Sequence, residues 1–244
     1  MRFGLLGPVE LWTHGQRTEV GPAKQRAVFA LLLLHANRVV SVDQIADALW
    51  AEAPPRTARK NVQVYVWRLR RLVGARLESR PPGYQMSVGP EELDLAEFER
   101  LVSRARAARR AGLLVQAAGD YRAAVSLWRG ASLADVAGIG RLGTTAALLD
   151  RRRLLAYEDQ ISVELALGRH AELLPVLDEL VTAHPLHERF AEQQILALYR
   201  AGRRADACVA YLRCRRVLSR ELGVEPGPAL QRLARAVREA QPLP

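Results

Sequence analysis

The chain has 244 residues, of which 49% are hydrophobic and 25% charged, and a formal net charge of +10 at pH 7. That length and balance fit two ordinary globular domains, each with its own core, and exclude a disordered tail-like chain. The longest apolar run, "AVFALLLLHA", is about half the length of a membrane-spanning helix and is expected to be a core helix.

The start, "MRFGLLGPVELW", has no long apolar stretch and no small-residue cleavage site, so no signal peptide is expected and the protein is expected in the cytoplasm. Residues 1–20 hold three strand-like runs, "RFGLLG", "VELWT" and "RTEV", parted by the turn signals Gly7-Pro8 and His14-Gly15. Gly21-Pro22 then introduces a helix to about Asn37, with Ala27, Leu31 and Leu34 on one face. Ser41 followed by Gln44 predicts a capping box before the short helix "QIADALW". "AEAPPR" ends that helix, and Thr57 is expected to cap a third one beginning "ARKN".

The next stretch, "NVQVYVWRLRRLVG", alternates like a strand at Val62, Val64 and Val66 and then becomes studded with Arg. A helical frame resolves the conflict, because at about 100° per residue Val62, Val66, Leu69 and Val73 fall within roughly 60° of one another. Opposite this core stripe stand Lys60, Val64, Trp67, Arg68 and Arg71, with Asn61 and Gln63 on the flanks. A surface helix has no use for exposed Val and Trp unless something covers them. Charge concentrates here too. Arg56, Arg59, Lys60, Arg68, Arg70, Arg71, Arg76 and Arg80 face a single acid, Glu78, within residues 55–80. "RLESRPPGYQMSV" then predicts a hairpin about the turn Arg80–Gly83. Strands, three helices and a hairpin are the layout of a winged helix-turn-helix, whose third helix enters the major groove of DNA while the wing reaches an adjacent groove. The bland alternative is a small α+β domain whose basic helix is merely solvated; for Arg68 and Trp67 themselves, the alternative to base readout is that Arg68 pairs with an acid such as Glu52 and Trp67 packs under the wing.

From Asp94 on, helices are expected near 94–111, 113–129, 144–167, 170–183, 187–201, 204–221 and 227–240, divided mainly by glycines. Gly168-Arg169 recurs at Gly202-Arg203, Ala171 at Ala205 and Leu177 at Tyr211, all at 34 residues, the tetratricopeptide period. "GDYRAAVSLW", from Gly119, resembles a further copy displaced by 49 residues, with Ala123 and Leu127 at packing positions. Stacked helix hairpins of this kind form concave surfaces for protein contacts.

"GIGRLG", residues 138–143, matches a dinucleotide-binding glycine pattern but lacks the preceding strand and the β-α-β frame, so a flexible inter-helix loop is expected. His184 and His187 have no metal-ligand neighbours and are expected at the surface or as helix caps. Cys208 and Cys214, six apart in a helical pattern, are expected to be unpaired thiols. No cofactor, metal or catalytic constellation is expected.

Together "MRFGLLGPVELW", "GPAKQRAVFALLLLHANRVVSVDQIADALW", "NVQVYVWRLRRLVG", "RPPGYQM", "LDLAEFERLV", "ALGRHAELL" and "ELGVEPGPALQRL" resemble, in that order, the Streptomyces antibiotic regulatory proteins (SARPs). The resemblance runs from Met1 to about Gln241. It implies a mainly α fold with a small β part: an OmpR-type winged helix-turn-helix over residues 1–92, then an all-α tetratricopeptide-like bacterial transcriptional activator domain over 93–244. It further implies a transcription activator, not an enzyme, that binds direct repeats in promoter DNA as a side-by-side homodimer and recruits RNA polymerase to antibiotic biosynthesis genes. DNA-contacting positions carried over by the resemblance are Lys60, Asn61, Gln63, Val64, Tyr65, Trp67, Arg68 and Arg71, with Arg80 on the wing. Two features depart from the family pattern: Trp67 stands where a small or basic residue is common, and "VAGIGRLGTT" is richer in glycine than the usual acidic, aromatic-containing segment. A repressor of the same architecture, or a tetratricopeptide adaptor for an acidic protein or RNA, are the alternatives.

Overall fold

The computed structural model describes residues 1–51 and 53–241. Its elements run β1 (Arg2–Gly4), β2 (Glu10–Thr13), β3 (Gln16–Thr18), α1 (Ala23–Leu34), β4 (Val39–Ser41), α2 (Val42–Trp50), α3 (Ala58–Val73), β5 (Leu77–Arg80), β6 (Gly83–Met86), α4 (Asp94–Arg110), α5 (Leu114–Ser126), α6 (Leu142–Ala166), α7 (Leu174–Ala183), α8 (Glu188–Arg200), α9 (Arg204–Leu222) and α10 (Pro228–Arg238). A single 3-10 turn, Gly74–Arg76, joins α3 to β5. The expected fold class holds: a winged helix-turn-helix with an N-terminal sheet, followed by tetratricopeptide-like helices.

The chain divides into two compact units. One unit joins Met1–Arg104 to Asp120–Ala156; the other joins Ala105–Gly119 to the chain from Tyr157 onward.

In the first unit, β1, β2 and β3 form an antiparallel sheet with Phe3 opposite Leu11. Phe3 also meets Phe29 of α1 edge to face, with ring centroids 5.9 Å apart. A second antiparallel sheet, in the order β4-β6-β5, makes the wing. β4 was not expected, because "VVS" is only three residues of strand whose partner, β6, lies more than 40 residues further along. Helices α1, α2 and α3 pack on one another through buried Phe29, Leu32, Leu33, Ile45, Leu49, Val62 and Leu69. The capping box at α2 is present: Ser41 Oγ accepts the Gln44 N–H at 3.1 Å and Gln44 Oε1 accepts the Ser41 N–H at 2.9 Å. Thr57, by contrast, precedes α3 without capping it through its side chain. Its backbone, at φ −91° and ψ 6°, lacks the extended geometry that aims an N-cap hydroxyl at the first turn; its Oγ1 accepts from Asn61 Nδ2 instead, at 3.3 Å.

The second unit shows the repeat in its hydrogen bonds. The Gly168 N–H donates to Leu165 O and the Arg169 N–H to Glu164 O, each at 3.1 Å; 34 residues on, Gly202 donates to Tyr199 O at 3.0 Å and Arg203 to Leu198 O at 2.8 Å. Both glycines have a positive φ, 79° and 77°, the left-handed backbone that ends a helix with a six-to-one bond. The same turn occurs a third time at Gly112, whose N–H reaches Arg109 O while Leu113 reaches Ala108 O. The additional copy is therefore anchored at Gly112, not at Gly119, which lies inside α5. His187 stands at the N-cap of α8, with Nε2 2.8 Å from Glu158 Oε1, and His184 at the C-cap of α7.

Candidate nucleic-acid interface

Helix α3 presents two faces. Val62, Val66, Leu69 and Val73 are buried against the unit's core, as the apolar spacing predicts. On the opposite face Lys60, Gln63, Val64, Trp67, Arg68 and Arg71 are all exposed. Val64 keeps 39% and Trp67 58% of its surface in contact with solvent, so Trp67 does not pack under the wing. The Arg71 guanidinium lies over the Trp67 ring, 5.3 Å from its centroid, which extends a flat cationic and aromatic surface along the helix. Among the described residues Lys60 and Arg68 make no ion pair; the proposed partner Glu52 lies outside them. Asn61 and Tyr65 are half-buried, at the margin of the face. Arg80 is exposed at the end of β5, paired with Glu78 at 2.8 Å.

Other basic residues of the same cluster serve the scaffold. Arg70 is half-buried and fastens α3 to the wing: Nε donates to Leu77 O at 2.9 Å, Nη2 donates to Ser79 Oγ at 2.6 Å, and the guanidinium lies 5.7 Å from the Tyr84 ring centroid. Arg59 pairs with Asp43 of α2 at 2.7 Å. Arg76 grips both carboxylate oxygens of Glu92, at 2.6 and 2.8 Å. That grip, reinforced by the Gly89 N–H at 2.7 Å, holds the Glu92 carboxyl below the usual carboxylate range. The Glu92 carbonyl in turn accepts the Phe3 N–H at 2.7 Å, so the C-terminal end of α3 is tied to the first strand. Arg56, counted in the basic cluster but not among the candidate contacts, is exposed in the turn before α3. Helical periodicity selects only residues inside the helix.

Among the described residues, no three His, Cys, Asp or Glu side chains are grouped to hold a metal ion. Burial pushes the Cys214 thiol up to about 11, which keeps it protonated and unreactive at neutral pH.

Residues 93–238 match the family described as "Bacterial transcriptional activator domain", and residues 16–86 match the family described as "Transcriptional regulatory protein, C terminal". The chain belongs to the SARP family. Among SARP-like relatives, it is 41% identical over 244 residues to the regulatory protein AfsR of Streptomyces coelicolor, covering 99% of this chain and 24% of that one. Against the regulatory protein DnrI of Streptomyces peucetius the identity is 39% over 256 residues, covering 99% and 93%. Against the transcriptional regulatory protein EmbR of Mycobacterium tuberculosis it is 36% over 248 residues, covering 99% and 64%. The chain thus spans about a quarter of one relative, just under two thirds of another and nearly all of a third. A solved structure of Mycobacterium tuberculosis EmbR, in complex with a low affinity phosphopeptide, superposes with a TM-score of 0.94 over 100% of this chain and 66% of that one. The relatives are regulatory proteins of transcription. In SARP terms α3 is the third helix of the OmpR-type winged helix, and the β5–β6 hairpin is its wing.

Proposed function

We propose that this SARP chain is a sequence-specific DNA-binding transcription activator, without enzymatic activity or cofactor, acting at the nucleoid in the cytoplasm. It binds direct repeats in promoters as a side-by-side homodimer and recruits RNA polymerase holoenzyme to a secondary-metabolite gene cluster. The observation that carries the reading is the outer face of α3, where Val64 and Trp67 stay exposed among Lys60, Arg68 and Arg71. A helix fits the major groove, where Arg forks read guanine, apolar groups meet thymine methyls and Lys neutralises phosphate. In this reading Lys60, Asn61, Gln63, Val64, Tyr65, Trp67, Arg68 and Arg71 line the groove, and Arg80 leaves Glu78 for a phosphate beside the wing. Residues 1–92 carry the reading surface, and residues 93–244 carry the contacts with protein partners.

Footprinting on the promoters neighbouring its own gene, followed by transcription in vitro with purified RNA polymerase holoenzyme, tests this. Protected direct repeats and a raised transcript level are expected. Protection with a lowered transcript level would make the chain a repressor, and no protection of any duplex would leave the adaptor reading in its place.

A further inference from the structure

The segment from Arg129 to Arg141, inside the match to the activator domain, lies along the winged helix over its whole length. The Arg129 N–H donates to Leu6 O at 2.8 Å, Leu133 to Leu5 O at 3.2 Å and Ala134 to Gly7 O at 3.4 Å. Asp135 accepts the Val9 N–H at 2.8 Å and the Arg26 Nε of α1 at 2.5 Å. At its far end the Arg141 N–H donates to Ala48 O at 2.9 Å, one of the carbonyls that the last turn of α2 leaves without a partner in its own helix. The strap is held from behind as well, because Asp150 of α6 accepts the backbone N–H and the hydroxyl of Ser132 at 2.9 and 2.8 Å.

Within this strap Gly140 is where "GIGRLG" meets α2. Its φ is +50°, and a Cβ there would stand 2.0 Å from Ala48 O and 2.8 Å from the Leu49 carbonyl carbon. Backbone atoms cannot swing aside, so any other residue pushes the strap and the end of α2 apart. Gly138, two residues earlier, has open space around the same atom. The end of α2 matters for reading, since α2 packs on α3 and the short stretch after it sets where α3 begins, with the Ala58 N–H donating to Pro55 O at 2.8 Å.

We propose that the Gly-rich turn Ile139–Arg141 is a positioning element of the DNA-reading surface: it braces the C-terminal end of α2 and so fixes α3 in the pose that reads sequence. The inference rests on the DNA-binding reading above. Gly140 touches no DNA; it acts through Ala48. Displacing α3 costs the geometry of base readout more than it costs sequence-independent attraction to phosphate, because only the former depends on angle and register.

The test uses the full chain carrying Gly140→Val, with Gly138→Ala as control. Affinities for a footprinted promoter site and for an unrelated duplex of equal length are measured where circular dichroism shows all proteins folded, and hydrogen exchange is followed at the α2 and α3 amides. For Gly140→Val the ratio of specific to unrelated affinity is expected to fall about tenfold, with faster exchange in both helices, while Gly138→Ala matches the wild type. A lowered melting temperature with the wild-type ratio and wild-type α3 exchange would overturn the proposal. Should Gly140→Val not fold, Gly140→Ala adds only the Cβ and is read in the same way. If the wild-type protein prefers no promoter, the DNA reading itself has failed, and the exchange of the α3 amides alone then decides whether the brace exists.

Discussion

Arg70 and Arg71 are neighbours in sequence and opposites in role. Arg70 is committed to the wing through Leu77 O and Ser79 Oγ, whereas Arg71 lies over Trp67 on the solvent side. Periodicity alone places Arg71 and not Arg70 on the outer face, but it could not name the acceptors of Arg70, because they come from a hairpin later in the chain. In the proposed reading Lys60 and Arg68, two turns apart on the outer face, divide the work of binding. A lysine near the helix start suits phosphate, while an arginine deeper in the groove presents a fork to guanine O6 and N7. Lys60→Ala is therefore expected to weaken all duplexes about equally. Arg68→Ala is expected to cost about 1–3 kcal/mol on the preferred site and to abolish discrimination at one base pair. Binding of both variants to a set of single-base operator changes, with melting temperatures recorded, checks the division; an unchanged ranking of sites in Arg68→Ala would remove it from base readout. Arg80 has little to lose in reaching DNA, since its pair with Glu78 is exposed on both sides and such pairs contribute little.

At the scale of elements, the Arg76–Glu92 pair joins the turn after α3 to the segment before α4 and, through Phe3, to β1. Because the folded carboxyl titrates below its ordinary range, its stabilisation is present above the unfolded pKa and is lost as pH falls through the folded one. Glu92→Gln should accordingly lower the melting temperature at neutral pH, and its difference from wild type should close below about pH 4. A gap that stays constant down to strongly acidic pH would show that the charge is not what holds the clasp. Most elements were legible from local signals: the helix bounds from glycines and apolar spacing, α2 from its capping box, the wing from its turn. What escaped depended on distant partners. β4 exists because β6 pairs with it, and "GIGRLG", expected as a flexible loop, is pinned because Ala48 lies under it. Glycines that permit a loop to bend and glycines that let two backbones touch look alike in one dimension.

The whole molecule carries a net charge of +10, and exposed cations are spread over many of its helices, with Lys60, Arg68, Arg71 and Arg80 among those on α3 and the wing. If two protomers each place Lys60, Arg68, Arg71 and Arg80 beside phosphates, a log–log plot of affinity against salt should have a slope of several units. A nearly flat line from titrations across salt concentrations would be incompatible with that footprint. The exposed outer face of α3 was largely visible in the sequence, since it is one helix with one apolar stripe and one charge cluster. The compact units were not, because the unbroken helical pattern begins at Asp94 while backbone hydrogen bonds tie the first strands and α2 to residues as far on as Arg141. That mismatch has a consequence on the ribosome. Residues 1–51 emerge about 90 residues ahead of the end of the strap, which at about 5–20 residues per second amounts to roughly 5–18 s of synthesis. Throughout that interval the carbonyls of Leu5, Leu6, Gly7 and Ala48 bond to water, and the nascent winged helix waits without the brace on α2. The stretch proposed to read promoters is made well before the brace that completes it.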